Sequence, residues 1–111
     1  MIAFTESWNQ YLDLIPAELQ DLYFREEYVR LYETDKEKAC CFVYQDGYSI
    51  MLFPFLRREF QFKGITYYDF ETAYGYGGPI SNDHSDTFMT AALEAMSAKA
   101  SSENFVCGFV R

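Results

Sequence analysis

The chain is 111 residues long, half of them hydrophobic and a fifth aromatic, and 17 acidic against 9 basic side chains give it a net charge of -8. That length fits one domain or part of one, and the apolar content excludes a disordered chain. The acidic balance disfavours a phosphate-binding face, so DNA and other nucleic acids are not expected partners.

Near the N-terminus, Trp8, Tyr11, Leu12 and Ile15 fall at i, i+3, i+4 and i+7, one stripe of an amphipathic helix. Thr5 or Ser7 is placed to cap it, and Ser7 with Gln10 has the capping-box spacing. Pro16 is expected to stop the helix, since the residue before proline is pushed out of helical geometry. After a short connection through Leu19 to Asp21, a second stripe runs Phe24, Tyr28, Leu31, Tyr32. Glu26 and Glu27 open it, where the helix dipole favours anions. The charged run Asp35-Lys36-Glu37-Lys38 ends it.

Ala39 to Tyr44 and Tyr48 to Leu56 read as two strands of a hairpin closed on Asp46-Gly47. That closure pairs Gln45 with Tyr48, Val43 with Ile50 and Cys41 with Leu52. Both strands are apolar on both faces, which calls for cover on two sides. Pro54 cannot donate a ladder bond, so the strand must be an edge or bulge there. Arg57-Arg58, with Lys63 nearby, is a small basic spot that reads as a solvated strand end.

Gly64 turns the chain into a third strand, Ile65 to Phe70. This strand delivers a loop, Tyr74-Gly75-Tyr76-Gly77-Gly78-Pro79, that holds three of the six glycines. Glycine lets a ligand approach the backbone, and tyrosine offers a flat apolar wall with a polar tip. The same residues also suit a tight turn packed on its own tyrosines. Asp69 and Glu71 alternate on the entering strand and therefore share a face, available as bases or ligand acceptors or as partners for loop amides. Ser81-Asn82-Asp83-His84-Ser85 is a cluster of turn and cap formers. A helix then runs from about Asp86 to Ala100, with Met89, Leu93, Met96 and Ala100 as its stripe. Phe105 to Arg111 reads as a buried strand, an ending that leads us to expect a longer protein or a truncated one.

No nucleophile–base pair stands out. His84, the single histidine, sits in a capping region and reads as a solvated turn residue. Cys40, Cys41 and Cys107 show no metal-ligand spacing and read as small core residues. Their odd number, with no secretory signal and no membrane-length apolar run, suits a reducing, cytoplasmic setting.

The run Tyr67-Tyr68-Asp69-Phe70-Glu71-Thr72-Ala73-Tyr74-Gly75-Tyr76-Gly77-Gly78-Pro79-Ile80-Ser81-Asn82 resembles the opening half of bacterial acyltransferases with the GNAT fold. The likeness is to the group related to the Fem peptidoglycan-bridge aminoacyltransferases and the acetyltransferases encoded with polysaccharide synthesis. Tyr23-Phe24 leading to Glu27-Tyr28, the strand Met51 to Arg58 and the closing Phe105 to Arg111 match at the level of pattern. The resemblance implies a partial GNAT-like α/β (α+β) fold over residues 1–111. Its expected order is two N-terminal helices, an antiparallel hairpin, a third strand, a helix and a final strand.

The resemblance further implies the N-terminal portion of a longer acyl- or aminoacyltransferase, inactive alone. The substrate would be a small molecule or cell-envelope precursor, bound by Tyr74, Gly75, Tyr76, Gly77, Gly78, Asp69 and Glu71. An acyl-CoA or aminoacyl-tRNA donor would serve the full-length protein, and no cofactor or metal is expected in this chain. The donor-binding turn [RQ]xxGx[GA] is not matched: read onto Gly75-Tyr76-Gly77, it puts Thr72 where Arg or Gln should stand. The competing expectation is a non-catalytic module that binds through the tyrosine–glycine loop and self-associates through the exposed final strand.

Overall fold

A computed structural model describes residues 1–16, 24–72 and 78–109, the last three of these by backbone alone. The strands are β1 (Ile2–Thr5), β2 (Glu37–Asp46), β3 (Ser49–Phe62), β4 (Ile65–Glu71), β5 (Ile80–Ser81) and β6 (Phe105–Phe109). The helices are α1 (Asn9–Leu12), α2 (Glu26–Arg30) and α3 (Asp86–Ser102). One sheet runs in the order β1-β2-β3-β4-β6, with β5 beside β3. Neighbours are antiparallel except β4 and β6, which run parallel. A parallel pair needs a long crossover, and the segment containing β5 and α3 supplies it. The fold is α+β in the expected element order, with β1 added at the edge and the two-residue β5 added beside β3. β1 is only four residues long, too short to show a period of its own. Its Phe4 nevertheless packs edge-on against Phe42 and Phe55 and stacks on Phe105.

The central hairpin forms as expected, in a different register. Asp46 pairs with Ser49, Gln45 with Ile50, Val43 with Leu52 and Cys41 with Pro54. The loop is therefore Gly47-Tyr48, two residues with Gly47 at φ +62° in the first central position. Glycine there suits a type II′ turn, in which only the first central residue needs positive φ. The shift of two keeps every side chain on its expected face. Pro54 lies where neither β4, which begins pairing at Leu56, nor β5, which pairs Met51 and Leu52, reaches β3. Its missing N–H therefore leaves no gap in those ladders.

Both faces of the hairpin are covered. Ala39, Cys41, Val43, Ile50, Leu52 and Leu56 meet Trp8, Leu12, Ile15 and Val29 on one side. Cys40, Phe42, Met51, Phe53 and Phe55 meet Phe88, Ala92 and Met96 of α3 on the other. The cysteines at 40 and 41 are thus core residues, and burial pushes the Cys40 thiol up to about 11 and Cys41 well above its usual value.

α1 is a single turn, ending at Leu12 rather than at Pro16. Its cap is not the Ser7–Gln10 box. Glu26 of α2 accepts from the Trp8 and Asn9 amides at 2.8 and 2.6 Å, and Asn9 Oδ1 accepts from the Glu26 amide at 2.9 Å. Each short helix caps the other, a long-range solution that no local spacing encodes. In α2 the buried residue is Val29, while Leu31 is 76% exposed. Leu31 keeps helical geometry as the C-cap, and two residues from the buried Val29 it lies on the far side of the helix. α3 is likewise rotated: Phe88, Ala92 and Met96 are buried, Met89 is half-buried and Leu93 is exposed. Phe88 has the largest apolar surface on that helix and takes the core position. The Leu19–Asp21 connection and Val110–Arg111 lie outside the described residues.

Candidate functional site

β4 carries Asp69 and Glu71 to the end of the strand, where the tyrosine–glycine loop begins. Asp69 pairs with Arg58 of β3, which in turn pairs with Glu37 of β2. The next row is Ala39, Leu56 and Glu71. Side chains two apart on a strand share a face, so Glu37, Arg58, Asp69 and Glu71 gather on the α1/α2 side, where the apolar core gives out. A pocket of about 150 Å³ is lined by these four and Phe70.

The Arg58 guanidinium binds both carboxylate oxygens of Asp69, its Nε donating at 3.1 Å and its Nη2 to the other oxygen. Arg58 is thereby committed to Asp69. Burial pushes the Glu37 carboxyl above its usual value, and its hydrogen bond to Glu71 and that group's charge push the same way, against the pull of Arg58. Glu37 therefore holds a proton against Glu71 more readily than an open glutamate would. A carboxyl pair of this kind can receive an ammonium group and take a proton from it.

Of the residues expected to form the site, Asp69 and Glu71 share one face and one pocket. Gly78 is buried with φ +105°, a conformation that L side chains rarely adopt, so its substitution is strained. Tyr74, Gly75, Tyr76 and Gly77 lie outside the described residues. Thr72, just before them, is buried.

Past the loop, Asn82 fastens the chain to the hairpin. Its Oδ1 accepts from the Ile50 amide at 2.9 Å, and its Nδ2 donates to the carbonyls of Tyr48 and Leu14 at 2.7 and 3.2 Å. Ser81 Oγ donates to the Ile50 carbonyl at 2.8 Å. Ser49 donates to Asp83 at 2.7 Å, and with the Ser85 amide it holds the Asp83 carboxyl below its usual value. Ser85 then caps α3, accepting from the Phe88 amide at 3.3 Å. His84 is exposed, its Nε2 lying 3.0 Å from the Ser81 carbonyl oxygen, and serves this turn. The cluster of turn and cap formers is thus an anchor for the far side of the loop. α3 begins at Asp86, after β5.

Sequence reasoning did not find Glu37 or the Arg58–Asp69 pair. Glu37 reads as one residue of a charged break, and closing the hairpin on Asp46-Gly47 would set it opposite Leu56 instead of Arg58. The correct loop residues would have revealed the row. Elsewhere, Arg57 lies over the Tyr68 ring at 5.0 Å, so the expected basic spot is divided between two faces. Among the described residues no His/Cys/Asp/Glu group could hold a metal ion, and no helix is long and apolar enough to cross a membrane. No protein-family model matches the chain, and no curated protein or solved structure is significantly similar to it.

Proposed function

We propose that the chain is the N-terminal portion of a GNAT/Fem-like acyl- or aminoacyltransferase acting on a cell-envelope or polysaccharide precursor. In this reading the carboxylate pocket and the tyrosine–glycine loop form the acceptor's side of the cleft. The observation that supports it best is positional. The loop leaves the carboxyl end of β4, whose neighbour β6 runs parallel to it, and Asp69 and Glu71 stand at its foot. Crevices at the carboxyl ends of parallel strands are where open α/β sheets bind ligands.

An acceptor ammonium entering the pocket meets Glu71, Asp69 and the Glu37 carboxyl. A carboxylate of the pair takes one proton from it, leaving a free amine whose lone pair attacks the donor carbonyl. Backbone amides of the glycine loop hold the carbonyl oxygen as charge develops there. The donor, a thioester or aminoacyl ester, is held by the remainder of the transferase. As the C–N bond forms its C–S or C–O bond breaks, and the thiol or hydroxyl leaves with the second proton of the amine. The chain alone binds acceptor and does not turn over.

The test is acyl transfer by the longest natural form, followed by mass spectrometry with amine-bearing muropeptide and amino-sugar acceptors. Loss of a general base lowers rate by about 100-fold or more, so Glu71→Gln should do so with binding retained. Full activity in Glu71→Gln and Glu37→Gln would remove the pocket from the mechanism.

A second reading, a non-catalytic binding module, draws on β6. Among the described residues that strand pairs only with β4, and its Val106 is 58% exposed. Acceptor binding without transfer in any natural form would favour it.

A further inference from the structure

β1 and β6 are the two ends of the sheet order, with β2, β3 and β4 between them. At roughly 4.8 Å per strand, a flat sheet of that order would part their backbones by about 19 Å. The rings of Phe4 and Phe105 nevertheless stack, their centres 5.2 Å apart and their planes 28° from parallel. The sheet is therefore curled, and its two edges meet across the α3 face. Phe55 of β3 lies beneath the contact, edge-on to Phe4 at 5.7 Å and to Phe105 at 6.1 Å. Lys99 of α3 sets its Nζ 5.9 Å from the Phe4 ring centre and pairs with Glu103 at 2.8 Å.

A second link runs beside the first. Glu6, the residue after β1, pairs with Arg57 at 4.0 Å. The Arg57 guanidinium lies 5.0 Å from the centre of the Tyr68 ring, which is itself 5.4 Å from Phe105. β6 in turn braces the strand that carries the carboxylates. Asp69 pairs with Cys107 and Glu71 with Phe109, and the Tyr68 amide donates to the Asn104 carbonyl at 2.9 Å. Among the described residues β6 is the only neighbour of β4 on that side. Phe4 packs with the core on the α3 face and lines no part of the carboxylate pocket, which lies on the other.

We propose that β1 is a latch and Phe4 a positioning residue: its stack on Phe105 holds β6 against β4 and so fixes Asp69 and Glu71 from the far face of the sheet. Releasing β1 loosens β6, and the end of β4 with it, while no pocket side chain is touched. The bearing of this latch on an acceptor rests on the transferase reading. The coupling itself needs no ligand, so its test stands or falls apart from that reading.

Amide hydrogen exchange and side-chain carboxyl titration of the labelled 111-residue chain, both read by NMR, test the latch. Phe4→Leu keeps most of the apolar bulk and removes the stack; Phe4→Ala removes both. Relative to Val43 and Leu52 of the hairpin, the β6 amides should exchange about threefold faster in Phe4→Leu and about tenfold or more faster in Phe4→Ala, the range a ring pair supplies. In both variants the raised Glu37 titration should move down toward its ordinary range as Glu71 drifts from it. Phe88→Leu is the control: it thins the same core beside Tyr44, should speed all strands alike, and should leave the Glu37 titration unmoved. The proposal is overturned if β6 keeps pace with the hairpin in both Phe4 variants, if the Glu37 titration stays put while β6 opens, or if Phe88→Leu reproduces both effects.

Discussion

At the scale of single residues, the pocket is a contest over protons. Three carboxylates face one guanidinium, and Asp69 takes both oxygens' worth of it, so Glu37 and Glu71 are left to share. Burial and the Glu71 contact raise the Glu37 pKa above its ordinary 4.5. The folded chain therefore binds this proton more tightly than the unfolded chain does. The stability it contributes is complete below pH 4.5 and is lost as the pH climbs through the raised value. Glu37→Gln keeps the shape and cannot ionise. Its melting temperature relative to the parent should rise between pH 4 and pH 7, a window about the ordinary glutamate pKa and just above it. A difference that stays flat or falls across that window would mean that Glu37 is not held protonated by its neighbours.

At the scale of elements, what was legible in the sequence is what local chemistry decides. The hairpin, the third strand, the long helix and the cap region all follow from turn residues, alternation and propensity. Pro54 reads correctly as an edge position, paired with Cys41 of β2 on one side and with neither β4 nor β5 on the other. One miss is local, the turn being Gly47-Tyr48 instead of Asp46-Gly47; the others come from long-range partners. The reciprocal capping of Trp8-Asn9 and Glu26 links residues 17 and 18 apart, and no window of helical spacing contains it. The exposed Leu31 and Leu93 match their stripes as well as Val29 and Phe88 do, and only the position of the sheet chooses between them. The pocket was half legible: β4 alone gives the shared face of Asp69 and Glu71, but Glu37 and Arg58 join only through the hairpin register. The anchor after the loop offers a check at this scale. Ser85→Ala should lower stability by about 1 kcal/mol, the usual loss for an N-cap serine, measured by urea unfolding. A neutral result would show that Asp83 and the Ile50–Asn82 bonds hold the start of α3 without the cap.

At the scale of the molecule, the two helical layers close both faces of the hairpin, while among the described residues the β4 end of the sheet stays open on the α1/α2 side. The open end holds the carboxylate pocket and the foot of the tyrosine–glycine loop. In the proposed reading this region is where the acceptor amine binds, and the hairpin with its two helical layers is the frame that holds it. The central claim is that this pocket receives the acceptor amine, and an amide-resolved NMR titration tests it most directly. An amine-bearing muropeptide or amino sugar added to the labelled chain should shift the amides of Glu37, Arg58, Asp69, Glu71 and Gly78. The N-acetylated form of the same compound, which has lost the charge, should shift them far less. Equal shifts from both forms, or shifts gathered elsewhere on the fold, would contradict the assignment.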